Sequence, residues 1–205
     1  MSHVASDPSA TLLAARDRYF EENHFGPDGG YGAAWVDFKL GPIPVPFPNT
    51  RARVRAVRFH DLHHVLTGYR TDALGEFEIS AWELGAGCGG YVAAWQLNLG
   101  GLAAGLLSIP RRTFQAFVRG RHSHSLYGET YDAALLARRV GEVRAACGLD
   151  APPSRVTAFD VAAFAACAVA GLAVGLVSGA LMLPVAVGMN ALALVRRRPS
   201  VTGGT

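Results

Sequence analysis

The sequence predicts an all-α chain, a helical metal-binding domain followed by a C-terminal hydrophobic membrane helix or broken hairpin. Three observations carry that expectation. No charged residue occurs between Val161 and Val195, a run bounded by Asp160 and by Arg196, Arg197 and Arg198. Upstream, segments with helical periodicity alternate with glycine and proline stops. Within one of them, His60-Asp61-Leu62-His63-His64 sets metal-binding residue types one helical turn apart. The boundaries that follow are 1–157 for the metal-binding domain, 158–198 for the membrane segment and 199–205 for a short polar tail.

Taken in order, Met1 to Ala10 has no charged start followed by a long apolar run, so no cleaved secretory signal is expected there. Helices are expected over Pro8–Glu22, Thr50–Thr67, Ala73–Leu84, Arg111–Arg119 and Tyr131–Cys147, the last stopped by Gly148. Between the first two, Gly41 to Pro48 places four prolines at alternate positions, which forces extended backbone and a loop. A second uncharged stretch, Leu84 to Pro110, holds seven glycines with Tyr91 and Trp95. It reads as a glycine loop leading into a buried or membrane-facing helix, with a composition suited to a lipid-lined groove.

In the C-terminal run, Val161 to Leu183 would rise roughly 34 Å as a helix, enough for a hydrocarbon core of about 30 Å. Gly171, Gly175 and Gly179 recur every four residues on one face, the arrangement that lets membrane helices approach closely, in a homo-oligomer or with a partner helix. The arginines after the run favour a cytoplasmic C-terminus, and an unsignalled domain before it also belongs on the cytoplasmic face. A single span cannot satisfy both. A hairpin broken at Pro184 and a tail anchor against the charge bias remain the two solutions.

A net charge of +3 comes without a basic block interleaved with stacking aromatics, so nucleic acid is not an expected partner. The three cysteines, Cys88, Cys147 and Cys167, have neither a paired metal spacing nor an even count for a disulfide framework, and point to a reducing compartment. Arg51, Arg55 and Arg58 share a helical face, and Arg111, Arg112, Arg119 and Arg121 form a second cluster. Either group suits a solvated surface or anionic lipid headgroups. His122 and His124 alternate in an expected loop and carry no assignment.

His60 and His64 project from one helix face, and the turn Gly68-Tyr69-Arg70-Thr71-Asp72 brings Glu76 back towards them, with Asp61 joining from the flank. Two neutral imidazoles and two carboxylates suit a divalent cation with nitrogen and oxygen ligands, Zn²⁺ or another divalent metal. Spacing alone does not name a reaction, since His-Asp pairs also serve metal phosphohydrolases. That reading would need further ligands, for which Asp132 is a weak candidate.

The string His60-Asp61-Leu62-His63-His64, eleven residues and then Glu76 resembles the HDxxH-x11-E motif of the coenzyme Q biosynthesis protein 4 family. The text from Val65 to Glu83 is similar too, as are Ser125-Leu126-Tyr127-Gly128-Glu129 and Cys147 to Pro153, so the resemblance spans roughly Arg18 to Pro153. It implies a mostly helical, membrane-attached fold, with Zn²⁺ on His60, Asp61, His64 and Glu76. The implied reaction, in ubiquinone synthesis, removes the C1 carboxylate from a polyprenylated 4-hydroxybenzoate. The Gly41 to Pro48 stretch and the hydrophobic C-terminal extension depart from the family pattern.

For such a decarboxylation His63 and Glu83 are the candidate proton carriers, Glu83 lying seven residues beyond Glu76 on the same helix face. The ordinary reading of Glu83 is an exposed helix carboxylate, and of Tyr127 and Glu129 packing and capping. The alternative from another class is a non-catalytic scaffold that binds prenyl lipid, organises quinone-biosynthesis proteins and uses the metal structurally. Four protein ligands would favour it, because catalytic zinc keeps an open position.

Overall fold

The computed structural model describes residues 7–36, 39–40, 43–44, 46–152 and 155–196, and among them the chain is mostly helical. Residues 1–6 and the polar tail 199–205, with Arg197 and Arg198, lie outside the described residues, as do 41, 42 and 45 of the proline-rich stretch.

Helix α1 spans Leu12–Glu22 and starts later than the sequence suggests, because the Thr11 hydroxyl caps it by accepting from the Ala14 amide. The proline-rich region forms short antiparallel pairings instead of an unpaired loop: β1 (Trp35–Val36) with β4 (Phe47–Pro48), and β2 (Lys39–Leu40) with β3 (Ile43–Pro44). Alternate prolines leave every second residue free to pair, and that suits a two-stranded ribbon.

Helix α2 (Arg51–Thr67) is capped by Thr50 and ended by Gly68 in the left-handed conformation at φ 73°. Helix α3 (Ala73–Ala86) starts on the Asp72 cap, and α4 (Val92–Ser108) follows the expected glycine loop. Pro110 opens α5 (Pro110–Arg121), where its missing N–H costs nothing.

The expected single helix over Tyr131–Cys147 is two, α6 (Ala133–Ala137) and α7 (Val140–Ala146). The break at Arg138 and Arg139 has a tertiary cause. The Leu12 amide donates to the Arg138 carbonyl at 2.9 Å, and the Val140 and Gly141 amides donate to the carbonyls of Ala10 and Pro8. The chain's N-terminal segment thus takes backbone groups that a continuous helix would need for itself.

Helix α8 (Ala158–Arg196) passes through Pro184 without a break, so the hairpin does not form among the described residues. Over Ala158–Leu181 it is long and apolar enough to cross a membrane. Its glycine face is used within the chain: a Cβ at Gly171 would meet the Leu99 carbonyl, and one at Gly175 would touch Ala103 of α4, while Gly179 meets nothing within 4 Å. These contacts set α8 parallel to α4.

Helices α3, α4 and α5 pack as a layer around Trp82, Ile79, Leu102 and Phe117, all buried. The α3–α5 crossing is close enough that Cβ atoms at Gly85 and Gly120 would strike the Phe117 and Trp82 carbonyls. Helix α2 lies across this layer, with Phe59, Leu62 and Leu66 buried, and presents its histidines to α3.

Candidate metal centre

His60 and His64 are four residues apart on α2 and their rings meet edge to face, with Nε2 atoms 3.1 Å apart. Glu76, in the first turn of α3, completes the group: one carboxylate oxygen is 3.3 Å from His60 Nε2 and the other 3.2 Å from His64 Nε2. These three residues can each offer one ligand atom within 4.8 Å of the others.

Tautomers decide what the arrangement means. A carbonyl only accepts, so His64 Nδ1, 2.9 Å from the Tyr69 carbonyl, carries the proton. His60 Nδ1 donates to Glu83 at 3.0 Å. In the neutral rings both Nε2 atoms therefore present lone pairs, to each other and to the Glu76 carboxylate. Three converging electron pairs repel unless a cation or a proton sits among them. Burial disfavours a charged His60, yet Glu83 and Glu76 push its pKa well above the usual histidine value. Burial likewise opposes ionisation of Glu76, while His64 and His60 hold its carboxyl below the ordinary range. The donor set fits a divalent metal, with outer partners that fix both ligating nitrogens.

Asp61, the expected fourth ligand, stands outside this group. Next in sequence to His60 it points about 100° around the helix, where its carboxylate accepts from the Tyr31 hydroxyl at 2.6 Å. Tyr19 stacks on His64 with ring centroids 5.6 Å apart. A cleft of about 540 Å³ reaches His64 between Arg18, Tyr19, Tyr69 and Arg70.

Glu83 is fully buried rather than the exposed carboxylate that its sequence position first suggests. Its Oε1 accepts from His60 Nδ1 and from His63 Nδ1, at 3.0 and 2.6 Å, and its Oε2 from the Tyr127 hydroxyl at 2.8 Å and from Asn98 Nδ2. Burial would raise its pKa, but His60 and His63 hold the carboxyl well below its usual value. His63 is buried with both nitrogens engaged, Nδ1 donating to Glu83 and Nε2 accepting from the Leu126 amide at 2.8 Å. Burial lowers its pKa and keeps it neutral.

No family model, curated protein or solved structure matches the chain. What the site can do therefore rests on its own chemistry and on the motif resemblance.

Sequence reasoning assigned nothing to Asn98, which no motif marks, and gave Tyr127 no partner. Their common target is a charge buried seven residues beyond Glu76, and a carboxylate at that spacing amid Ile79, Ala81, Trp82 and Leu84 was the available signal for it. Of the expected basic surface, Arg58 lies over the rings of Tyr31 and Tyr131, and Arg112 pairs with Glu78 at 2.5 Å. His122 and Arg121 close on Asp160 at 3.2 and 3.5 Å, fastening the start of α8. The three cysteines are free thiols.

Proposed function

We propose that the chain is a metal-dependent carboxy-lyase of ubiquinone biosynthesis, acting at the membrane on a polyprenylated 4-hydroxybenzoate. The observation that carries the metal is the convergence of the His60 and His64 Nε2 atoms on Glu76, with tautomers set by Glu83 and the Tyr69 carbonyl. The reaction and substrate come from the motif resemblance to the coenzyme Q biosynthesis protein 4 family. Zn²⁺ is the ion that this resemblance supplies, and two histidines with one carboxylate suit it.

In the proposed reaction the bond from ring C1 to the carboxyl carbon breaks, CO₂ leaves, the electron pair stays on the ring and a proton takes its place. A divalent ion supplies a Lewis acid for that developing charge. His60, His64 and Glu76 would hold the ion, while Glu83 and the Tyr69 carbonyl orient the two imidazoles. The cleft beside His64 is lined by Arg18 and Arg70 together with Asp7, Glu22 and Asp72; Arg70 pairs with Asp72 at 2.8 Å, and Arg18 is the cation that suits an anionic ring substituent. His63 and Glu83 engage each other behind the ligands, which makes them positioning residues in this account and leaves the proton to reach the ring through the cleft.

Three protein ligands leave coordination positions open, and this favours catalysis over the scaffold alternative with a structural metal. The membrane setting has its own logic: drawing a prenyl tail out of the bilayer costs about 0.8 kcal/mol per CH₂, so the enzyme must meet its substrate there. Helix α8 supplies the attachment, with the metal-binding domain on the cytoplasmic face.

The test is lipid mass spectrometry on cells lacking the gene, complemented with wild type or with His64→Ala. A prenylated hydroxybenzoate that keeps its carboxylate should accumulate and be cleared by wild type alone. Unchanged quinones and intermediates would refute the assignment.

A further inference from the structure

Helix α4 has an outward face that nothing in the domain explains. Positions 97, 100, 104 and 107 fall on one side, away from the side that buries Ala94 and Asn98, and none is charged. Leu107 is 82% exposed and Leu97 46%. The helix lies parallel to α8, whose side adjoining this face is exposed and apolar at Ala162, Ala166, Ala170, Ala173 and Val177. Together they make a continuous uncharged surface two helices wide. Arg111, exposed, follows one end of it, and Arg155, also exposed, precedes the other.

The attachment of α8 limits how a bilayer can meet this surface. Asp160 is held by His122 and Arg121, Phe164 packs on Phe114 and Phe117, and Gly171 rests on the backbone of α4. A straight crossing by residues 158–181 would carry α5 into hydrocarbon with Arg112, Arg119 and Arg121, and α3 with Glu76 and Glu78. Charges there are costly unless paired inside a bundle or a wet cavity.

We infer that the protein meets the bilayer side-on through the joint outer face of α4 and α8, with Arg111 and Arg155 at headgroup level. An apolar face edged by arginines is the chemistry of a surface-lying helix, and anionic lipid favours those edges. From Leu176 to Val195 the same unbroken helix has 20 further uncharged residues, about 30 Å, which extend the apolar surface past the domain. The inner side of the same α4 carries Asn98, which bonds Glu83 and through it addresses His60. The lipid-facing helix and the metal ligands are thus one hydrogen-bonded chain apart. The inference rests on the membrane attachment proposed above and adds a surface and an orientation to it.

Nitroxide labels on the full chain in phosphatidylcholine–phosphatidylglycerol vesicles test it. The labelled variants are Leu97→Cys and Leu107→Cys on α4, Val177→Cys on α8 and Glu22→Cys on α1, each in a Cys167→Ala background. Collision with oxygen, which concentrates in lipid, is compared with collision by a water-soluble nickel chelate. The labels at 97, 107 and 177 should favour oxygen and the label at 22 nickel. If 97 and 107 behave as 22 does while 177 stays in lipid, α8 anchors the protein but the joint face is wrong. Nickel access at all four positions would overturn membrane attachment itself.

Discussion

Replacing Glu83 by glutamine keeps the shape of the side chain and removes its charge. At Oε2 the change is tolerable, because the Tyr127 hydroxyl can turn and the Asn98 amide can flip to accept from the new NH₂. At Oε1 the imidazole N–H groups of His60 and His63, at 3.0 and 2.6 Å, lose a carboxylate and keep only an amide oxygen. A hydrogen bond to a charged group is worth about 1 kcal/mol more than a neutral one, and of the two weakened bonds only that of His60 is made by a metal ligand. Metal affinity should then fall about 5-fold, near the lower end of the range of about 10 to 100-fold found for outer partners of metal ligands. Chelator competition on the purified full chain reads this directly. An affinity within twofold of wild type would refute the argument that Glu83 holds His60 for the metal. Turnover at saturating metal separates the roles: it recovers if Glu83 positions a ligand and stays lost if Glu83 carries the proton.

Other parts of the account have their own tests. Asp61→Asn should leave metal stoichiometry unchanged, because that carboxylate serves Tyr31, whereas Glu76→Gln should lose most of the metal; elemental analysis of both variants decides. Gly120→Ala drives a methyl into the Trp82 carbonyl, and overpacking of this kind costs about 1–3 kcal/mol, to be read as a lowered thermal midpoint in detergent. In the metal-free protein the folded pKa of His60 is raised, so its contribution to stability is complete below pH ~6.5 and is lost as pH rises through the folded value. Glu83 has the opposite sign, its contribution being present above pH ~4.5 and lost as pH falls towards its depressed folded value. Denaturant midpoints of metal-free protein across pH should therefore fall at both extremes, and metal binding should release protons to the buffer, which calorimetry in two buffers measures.

The helical class was legible because its signals are local. Thr50 and Asp72 cap the helices they precede, Gly68 and Gly148 stop the ones they follow, and the spacing of His60, His64 and Glu76 already brings three candidate ligands together. Asp61 misled because adjacency in sequence resembles adjacency in space, while successive helical residues diverge by about 100°. The break between α6 and α7 was hidden for another reason. Its cause is the backbone of Pro8, Ala10 and Leu12, more than a hundred residues away, and no local pattern records that pairing. Glu83 lies between these cases: its burial follows from apolar neighbours on α3, but its partners arrive from α2, α4 and the Leu126–Gly128 turn.

The central claim is a divalent metal on His60, His64 and Glu76, and elemental analysis with X-ray absorption on the purified full chain tests it most directly. The account predicts one metal ion per chain with two imidazole nitrogens and carboxylate oxygen in its first shell, and almost none in His64→Ala. A wild-type chain that takes up no divalent metal, or a His64→Ala chain that binds it as well as wild type, would contradict it.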